Sequence, residues 1–588
     1  MKNKIIIILI VILGAVLRLN QITTLPALNA DEAALGYNAY SLIQTGKDEH
    51  GQSWPIVFKS FGDYKPGIYI YLAIPFVKLL GLNVLAVRLP GLILSIISIF
   101  LIYILVKELN MDSRFRGNDK NDKLLITNYQ LPTITALLLA ISPWHIHFSR
   151  GAWETQTSTA FLLLGVYGFL KALKKPQWYL VFTICFILSV YTYHSMRIIA
   201  PLLTLSLIII FREHFIKIIL PRSEKDSFIN KINIFNHTQR TSKYLYASFV
   251  IGIFLTIPLL VSLLSPSGLS RASGVSIFAD PGPINRTNEA RGLHNQFNTL
   301  PIKLLYNRPI AYATRFFDNY LRHFSGNFLF IDGDEIQRNK VPGFGQLYIV
   351  SIPFVILGIF FLITNYQLPI TKLLMSWLLI APISAALTFQ SPHALRSFSI
   401  VIPLTIITAI GVVIALKWFI KLISTFNIQI SNFLLSTFYF VVSTLFIWDF
   451  ARYLHMYYLL VVPTYPYSSQ YGFSELVPYI ESIKQNYNTI YITDRYDQPY
   501  ILFLFYSQYS PDKFQTESIL TPRDQYGFST VRDYDRYHFE EISNYQSITE
   551  AGPHSLIVGT DEEIPDDAHI IKEIKLNDQH IIFQIAET

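Results

Sequence analysis

Two adjacent carboxylates near the start of the chain are the first candidates for chemistry. Asp31 and Glu32 open the stretch from Asn29 to Gly46, which follows the first hydrophobic run. A carboxylate that faces a cleft can take a proton from a reacting group, so both are candidate catalytic residues. Glu32 also has a structural explanation, because Asn29 followed three residues later by Glu resembles a capping box, and first-turn acids suit the helix dipole. Asp31 has no such local explanation.

The second candidate chemistry is phosphate binding by arginine. Three short loops carry a histidine three residues before an arginine, a spacing that places both side chains on one helix face. Guanidinium groups bind phosphate bidentately, so these loops could hold an anionic lipid headgroup. Snorkelling to the membrane surface is the structural alternative for each arginine. The pairs are His147 and Arg150, His194 and Arg197, and His393 and Arg396.

Lys65 could join this cationic group. Pro66 restricts Lys65 to extended backbone conformations, which favours a turn that projects the side chain. The alternative for Lys65 is again interfacial snorkelling. Glu154 follows the first arginine loop and could form an ion pair with Arg150. Together with Asp31, it could instead hold one hard cation.

The sequence does not predict a metal centre. Cys185 is the only cysteine, so no disulfide can form within the chain, and none of the zinc-ligand spacings occurs. We therefore expect no required cofactor, with a divalent cation as the open alternative. A crowded acidic group could bind a cation or an acceptor, although a solvated turn is the favoured interpretation: Asp332, Asp334 and Glu335.

The composition predicts that these residues are carried by a polytopic membrane protein. Of the 588 residues, 51% are hydrophobic and only 15% are charged. From Arg452 onward there are 9 Lys and Arg against 20 Asp and Glu, so this tail carries −11 and the preceding part +18. The basic residues lie in scattered loops and not on one face, which disfavours a nucleic-acid partner.

The apolar runs predict about eleven spanning helices. The first run resembles a signal peptide but lacks a small-x-small cleavage site, so we expect a retained helix. We interpret Asn29 to Gly46 as an amphipathic helix on the membrane surface, with its acidic start facing a cleft. Ile68 to Leu82 is expected to be interfacial or re-entrant, and Val84 to Val106 to span.

Loop charges give the orientation. The loop from Lys107 to Lys123 is rich in Lys and Arg and is predicted to be cytoplasmic. An odd number of spans then places the N-terminus in the cytoplasm and the tail outside, in a multi-pass protein of the plasma (inner) membrane. Asp31, Lys65 and the three His-x-x-Arg loops all fall on the outer side.

We expect two domains. Residues 1–451 form the transmembrane domain, with outer loops 20–83 and 265–345, and residues 452–588 form a small extracytoplasmic α/β domain. In this second domain the patterns predict one helix and three strands: a helix at Ser474 to Asn486 and strands at Thr489 to Thr493, Ser555 to Gly559 and His569 to Ala586.

The order of several short motifs resembles the GT-C class of membrane glycosyltransferases. A membrane helix is followed by the Asp-Glu pair, Lys65-Pro66, Arg88-Leu89-Pro90 and then Ser149-Arg150-Gly151-Ala152-Trp153-Glu154. This order is most similar to bacterial relatives of the dolichyl-phosphate-mannose protein mannosyltransferases, glycosyltransferase family 39, and of the lipid A aminoarabinose transferase. The resemblance covers about Met1 to Leu416.

The resemblance implies an inverting transfer of a hexosyl or pentosyl group from a polyprenyl-phosphate donor, at the outer face, to a protein or glycolipid acceptor. It implies that Asp31 is the general base or orients the acceptor, that Lys65 binds the donor phosphate and that Glu154 is the second loop acid. Glu32 stays a catalytic candidate, and Arg88 is a substrate-binding candidate. The Lys-Pro-Gly turn differs from the Lys-Pro-Pro of aminoarabinose transferases, which puts the geometry after Lys65 in question.

Two other functions would also fit outer cations on many helices. A transporter or flippase of lipid-linked saccharides would place polar residues near the bilayer midplane and would show repeated halves. The candidate residues lie instead at loop edges on one side, and no repeat is evident. A non-catalytic receptor that uses the tail would leave Asp31 without a role.

Overall fold

The computed structural model describes most of the chain. The described residues are 2–61, 63–111, 130–219, 228–264, 274–294, 299–424, 426, 428–522, 529–543, 545–551, 554–576 and 578–588. Most of the loop predicted to be cytoplasmic, from residue 112 to 123, lies outside these residues, as do residues 265–273 of the large outer loop.

Helices form most of the described chain. Those before the large outer loop are α1 (Lys2–Leu19), α2 (Ala30–Thr45), α3 (Ile68–Leu80), α4 (Val84–Met111), α5 (Gln130–Ile141), α6 (Pro143–Ser149), α7 (Glu154–Ala172), α8 (Trp178–Thr192), α9 (Met196–Ile210), α10 (Arg212–Ile219) and α11 (Phe228–Leu264). Those that follow are α12 (Gly282–Gly292), α13 (Leu300–Leu305), α14 (Arg308–Arg322), α15 (Ile352–Thr364), α16 (Pro369–Ile380), α17 (Ile383–Ala386), α18 (Val401–Ile423), α19 (Ile428–His455), α20 (Val461–Thr464), α21 (Pro466–Ser469), α22 (Phe473–Ile483), α23 (Pro499–Ser507), α24 (Pro511–Glu517) and α25 (Tyr545–Ala551).

Several helices have the length and composition of membrane spans, as expected for a multi-pass membrane protein. Within the described residues five segments qualify, or six if α5 and α6, which meet at a 55° bend, are one span. Four further apolar helices have 10–17 residues, among them α3. The number eleven therefore stays a prediction, because several of the expected spans are short helices. The qualifying segments are Val84–Leu109, Gln239–Leu264, Pro369–Ala386, Phe398–Ile423 and Gln429–Thr464.

Helix α2 has the predicted bounds but not the predicted surroundings. The Asn29 side chain accepts a hydrogen bond from the Glu32 amide, and Gly46, at φ 71°, ends the helix by donating to the Leu42 carbonyl. Both ends follow the usual capping rules. The helix is buried on nearly all sides, however, and presents no broad polar face to solvent. The prediction of an amphipathic surface helix is therefore wrong.

The C-terminal region covers α2. At Gly36, an added Cβ would lie 2.5 Å from Val87 of α4 and 2.7 Å from Phe505 of α23, so only glycine allows both neighbours to pack this closely. The Tyr37 hydroxyl also donates to the Tyr509 carbonyl at 3.1 Å. One hydrophobic core therefore includes α2, α3, the start of α4 and the C-terminal sheet.

The C-terminal region is an α/β structure built on a seven-stranded sheet. Its strands are β3 (Thr489–Thr493), β4 (Ile519–Leu520), β5 (Val531–Tyr534), β6 (Tyr537–Glu540), β7 (Ser555–Gly559), β8 (Ile570–Lys575) and β9 (Ile581–Glu587), in the order β4-β5-β6-β3-β7-β9-β8. β3 is parallel to β6 and β7, and the other pairs are antiparallel.

The strand predictions for this region are largely confirmed. β3 and β7 match the predicted segments, and the predicted helix is α22 followed by a 3-10 turn at Lys484–Asn486. The single strand predicted over His569 to Ala586 is wrong, since the chain reverses and forms the antiparallel pair β8 and β9. Both arms are rich in isoleucine, and the polar residues Asp578, Gln579 and His580 stand between them.

Candidate active site

Asp31 is the second residue of α2, and its side chain is partly exposed. Its side chain is 26% exposed and forms an ion pair with the Lys65 ammonium. Lys65 lies in β2 (Asp63–Pro66), which pairs with β1 (Val57–Ser60) in an antiparallel hairpin. The same ammonium lies 4.9 Å from the centre of the Phe61 ring, a cation–π contact that helps to orient it. The sequence predicted only that Asp31 and Lys65 lie on the same side of the membrane, and the structure brings the two side chains into contact.

Arg338 of the large outer loop is the second cation at Asp31. Its Nη1 lies 3.5 Å from Asp31 Oδ2 and 3.9 Å from Asp497 Oδ2 of the C-terminal region. His147 Nε2 donates to the Arg338 carbonyl at 3.1 Å and holds this part of the loop against α6. Three segments that are distant in sequence thus meet at the Asp31 carboxylate, and Asp497 joins them through Arg338.

Glu32 occupies a different environment from Asp31. Its side chain is 1% exposed and pairs with Arg88, whose Nε lies 3.2 Å from both carboxylate oxygens and whose Nη2 lies 2.5 Å from Oε2. The Ala152 amide donates to Oε1 at 2.5 Å. The capping box is thus only half formed, because the Glu32 side chain turns inward to Arg88.

The Arg88 guanidinium is fully occupied by protein. Besides Glu32, it donates to the carbonyls of Ile22, Pro26 and Ala27 at 2.7, 2.9 and 3.1 Å. These carbonyls belong to the segment that leads into α2. Arg88 therefore fixes the position from which Asp31 projects, and its predicted contact with substrate has no support in this geometry.

Arg150 is also buried and also binds backbone. It donates to the carbonyls of the turn after α1 and to a tyrosine hydroxyl: Leu17 at 2.8 Å, Arg18 at 3.3 Å, Asn20 at 2.5 Å, Leu25 at 2.8 Å and Tyr457 at 3.1 Å. Its guanidinium lies 5.2 and 5.1 Å from the ring centres of Tyr457 and Tyr458. The expected joint presentation of His147 and Arg150 is wrong for this loop, because the imidazole contacts the Arg338 carbonyl and the guanidinium points to the α1 turn.

The histidines of the other two His-x-x-Arg loops lie near the segments that carry Lys65 and Arg338. His194 Nε2 donates to the Tyr64 carbonyl at 2.9 Å, directly beside Lys65, and Arg197 is half-buried. Arg396 is half-buried and donates to Thr388 at 2.7 Å. His393 is buried, with Nδ1 3.7 Å from Asp334 Oδ2. His194 and His393 therefore contact the segments that carry Lys65 and Arg338.

The acidic group of the large loop is only partly a solvated turn. Asp332 and Glu335 are exposed, and Asp332 pairs with Lys340 at 3.3 Å. Asp334 is fully buried and accepts hydrogen bonds from the Ile336 and Ala394 amides at 2.9 and 2.6 Å. Burial raises the pKa of the Asp334 carboxyl. The turn interpretation is wrong for Asp334, which joins the large loop to the segment before Arg396.

Glu154 begins α7 and is buried. Among the described residues, no group of three or more His, Cys, Asp and Glu side chains is placed to hold a metal ion. The cation that Asp31 and Glu154 could share therefore stays a prediction.

Sequence patterns did not identify two residues of this site, Arg338 and Asp497. Arg338 follows the acidic group that suggested a solvated turn, and Asp497 lies between β3 and α23. Neither stands in a recognisable motif, and each reaches Asp31 only through the packing of distant segments. The only sequence signal for this part of the site was that Arg338 is an arginine on the predicted outer side.

Comparison with solved structures identifies the architecture. ArnT from Cupriavidus metallidurans in the apo state matches over 98% of this chain and 97% of its own, with a TM-score of 0.50 and 12% identity. This chain has the ArnT fold. The structure of the same ArnT bound to undecaprenyl phosphate matches over 98% and 97%, with a TM-score of 0.49 and 10% identity.

A third solved structure matches a smaller part of both chains. The archaeal oligosaccharyltransferase AglB from Archaeoglobus fulgidus, in complex with an inhibitory peptide and a dolichol-phosphate, matches over 86% of this chain and 63% of its own, with a TM-score of 0.47 and 12% identity. The match to ArnT confirms the fold that the GT-C resemblance of the sequence implied. No family model and no curated protein matches the sequence.

Proposed function

We propose that this protein is a glycosyltransferase that moves a sugar from a polyprenyl-phosphate donor to an acceptor hydroxyl at the outer face of the membrane. The observation that carries the proposal is the accessible carboxylate of Asp31 between the cations Lys65 and Arg338. The GT-C resemblance of the sequence and the ArnT fold support the same reaction class.

In this proposal Lys65 and Arg338 bind the donor phosphate. A phosphate diester is anionic, and a lysine and an arginine that face the same cleft can both donate to its oxygens. Both cations contact Asp31 in the structure, so an entering phosphate would replace the carboxylate as their partner. The exchange would leave Asp31 free to accept a hydrogen bond from the acceptor.

Asp31 then acts as the general base. It accepts the proton of the acceptor hydroxyl while that oxygen forms a bond to the anomeric carbon. The bond from the anomeric carbon to the phosphate oxygen breaks, and its electron pair leaves with the phosphate. Lys65 and Arg338 stabilise the charge that develops there. Attack opposite the leaving phosphate inverts the anomeric configuration, and the acceptor can be a protein or a glycolipid.

The buried charges have a supporting role in this proposal. Glu32, Arg88 and Arg150 hold the segment between α1 and α2, and thereby the start of α2. His147 and His194 contact the backbone next to the two phosphate-binding cations. Arg197 and Arg396 line the outer region as secondary contacts for the donor. The Asp31 side of the protein is extracytoplasmic, and the N-terminus is in the cytoplasm.

The test uses purified protein in lipid nanodiscs with a set of polyprenyl-phosphate sugars and an outer-membrane or cell-wall extract as acceptor source. We expect one donor to be consumed with release of polyprenyl phosphate, as followed by mass spectrometry. The same assay with EDTA tests the divalent-cation alternative. Movement of lipid-linked saccharides across proteoliposome bilayers without cleavage of the sugar–phosphate bond would contradict the transferase and favour the transporter.

A further inference from the structure

Helix α14 of the large outer loop turns its polar residues toward the protein and leaves its apolar residues exposed. Asn319 is buried, and its Nδ2 donates to the carbonyls of Ala386 and Thr388 at 3.2 and 3.0 Å. Arg315 Nη2 donates to the Phe389 carbonyl at 3.2 Å. The polar side of the helix is therefore used for contacts within the protein.

The opposite side of α14 carries an apolar stripe. Spacings of three and four residues place its members on one side of the helix. Phe317 and Leu321 are 60% and 63% exposed. A helix that faces water has the reverse arrangement, with polar residues outward, so the stripe indicates that its surroundings are apolar. Its members are Ile310, Ala313, Phe317 and Leu321.

An open groove of about 550 Å³ continues the stripe, and Ala313 and Phe317 belong to both. The exposed Phe278 ring packs edge-on against Tyr312 in this groove, with 4.9 Å between ring centres. The groove extends the surface that acyl chains can contact. Its walls include Ile277, Phe278, Tyr312, Phe316, Phe317 and Leu387.

The depth of α14 in the membrane follows from its contact with a segment that has the length and composition of a span. The Tyr320 hydroxyl donates to the Leu379 carbonyl at 2.8 Å. Leu379 lies inside the segment Pro369–Ala386, and its own side chain is exposed. Since Asn319 binds the Ala386 carbonyl, α14 lies beside the end of this segment. That end is where a spanning helix meets the membrane interface.

Basic residues flank the stripe. Residues 300–322 contain four basic residues and one acid, Asp318. Lys303 and Arg308 are exposed at the start of α14, and Arg322 is exposed at its end. Basic residues beside an apolar helix face are attracted to anionic lipid headgroups. A second copy of α14 on the same stripe would instead bring like charges together, so the charges favour lipid as the occupant.

The end of α14 is connected to the loop that carries Arg338. His323 Nε2 accepts a hydrogen bond from the His393 amide at 3.1 Å, and His393 Nδ1 lies 3.7 Å from Asp334 Oδ2. Asp334 accepts from Asn339 Nδ2 at 3.0 Å, and Asn339 is the neighbour of Arg338. Helix α14 therefore lies on the Asp31 side of the protein and is joined to one of the two cations at that carboxylate.

We propose that α14 binds the lipid leaflet on the Asp31 side of the membrane, with its apolar stripe among the acyl chains and its basic ends at anionic phospholipid headgroups. An interfacial helix of this kind places its apolar face about 5–10 Å into the boundary between headgroups and acyl chains. The helix binds the membrane without crossing it. Binding of this kind does not depend on the reaction that occurs at Asp31.

The experiment places one fluorophore at a time on the full-length protein in nanodiscs that contain phosphatidylglycerol and phosphatidylcholine. Cys185 is the only native cysteine and is buried, so an introduced exposed cysteine can be labelled selectively. Phe317→Cys carries the probe on the stripe. Phe440→Cys, at an exposed position near the middle of the long helix α19, is the control for deep lipid contact, and Thr516→Cys, exposed on α24, is the control for water.

The measurement is quenching of each probe by brominated phospholipids, which act by contact. We expect lipids brominated near the headgroup to remove about half of the emission at Phe317, and lipids brominated near the methyl end to remove much less, because the stripe lies close to the headgroup boundary. The probe at Phe440 should show the opposite order. The probe at Thr516 should keep its emission with both lipids.

Three results would overturn the proposal. Unquenched emission at Phe317 excludes contact with lipid, and a disulfide between two Phe317→Cys chains would then identify a second copy as the occupant. Stronger quenching at Phe317 by bromines near the methyl end places the stripe too deep for an interfacial helix. Loss of the quenching when undecaprenyl phosphate is added assigns the surface to the chain of that lipid and not to the leaflet. If Phe317→Cys does not fold, Leu321→Cys carries the probe on the same stripe.

Discussion

Asp31 and Glu32 are neighbours in the same helical turn but belong to two different regions. Asp31 is 26% exposed and contacts Lys65 and Arg338, which are 14% and 39% exposed. Glu32 is 1% exposed and contacts Arg88, which is fully buried. Successive helix positions differ by about 100° in direction, so one residue faces the cleft and the next faces the packed interior.

The comparison shows that acid–cation pairs of similar composition can have opposite roles. At Asp31, the ion pairs are partly exposed, and in the proposed function the donor phosphate replaces the carboxylate as the partner of both cations. In the interior, the guanidiniums of Arg88 and Arg150 are fully buried and already bind backbone carbonyls. Exposure and the number of hydrogen bonds already made, and not residue type, separate the proposed catalytic group from its support.

The largest expected effect is on Asp31. Asp31→Asn removes the base at nearly constant volume and should lower the transfer rate by about 100-fold to 10,000-fold, the usual contribution of general base catalysis. The thermal unfolding midpoint should change little, since partly exposed ion pairs contribute about 1 kcal/mol or less. Asp332→Asn, which also breaks an ion pair with a lysine, is the control and should keep full activity. Full activity of Asp31→Asn would contradict the general-base role.

The second-largest effect should be that substitution of Glu32 lowers the free energy of unfolding. Glu32→Ala leaves the Arg88 guanidinium buried without its carboxylate, and breaking such a pair costs about 3–5 kcal/mol. We expect a much lower unfolding midpoint in detergent and a low yield of folded protein. A Glu32→Ala protein that is as stable as wild type but inactive would remove the distinction between the two regions and make Glu32 catalytic.

Lys65 should affect donor binding more than folding. Lys65→Gln removes one of two phosphate-binding cations, and we expect about 10-fold weaker binding of undecaprenyl phosphate, equivalent to about 1.4 kcal/mol for a hydrogen bond to a charged group. Lys572→Gln, which breaks the ion pair with Glu475 in the C-terminal region, is the control. Unchanged affinity in Lys65→Gln would show that the phosphate binds elsewhere.

Arg338 should give the smallest change of the four. It is the more exposed cation, and solvent screens its charge, so Arg338→Gln is expected to raise the donor KM about threefold to fivefold with a smaller effect on kcat. Arg322→Gln, on the exposed face of α14, should leave both constants unchanged. A large loss of kcat with constant KM would instead show that Arg338 contributes to the transition state but not to binding of the donor in the ground state.

Helices and strands were predictable where residues within the same segment determine their bounds. The bounds of α2 follow from Asn29 and Gly46, whose capping roles depend on backbone geometry within a few residues. β3 and β7 follow from short β-branched runs with turns on both sides. The reversal between β8 and β9 was missed, because apolar alternation continues on both sides of a tight turn.

The contacts that charged residues make with distant segments could not be predicted in the same way. The sequence placed Asp31 and Lys65 on the same side of the membrane, and the structure brings them into contact. It treated Arg88 as a substrate-binding candidate and Arg150 as a phosphate ligand, because an arginine has the same residue type whether it binds lipid or backbone. Only the packing shows that their donors are already used.

The sequence by itself determined the membrane class, the acidic C-terminal α/β region, the GT-C resemblance and Asp31 as the residue to test first. The tertiary structure decided that α2 is enclosed by the C-terminal region, that Glu32 faces Arg88, and that Arg338 and Asp497 join Asp31. Composition and periodicity reflect the hydrophobicity and the conformational preferences of each segment by itself. The partners of a charge depend on which distant segments pack around it, because burial and neighbouring donors are properties of the assembled fold.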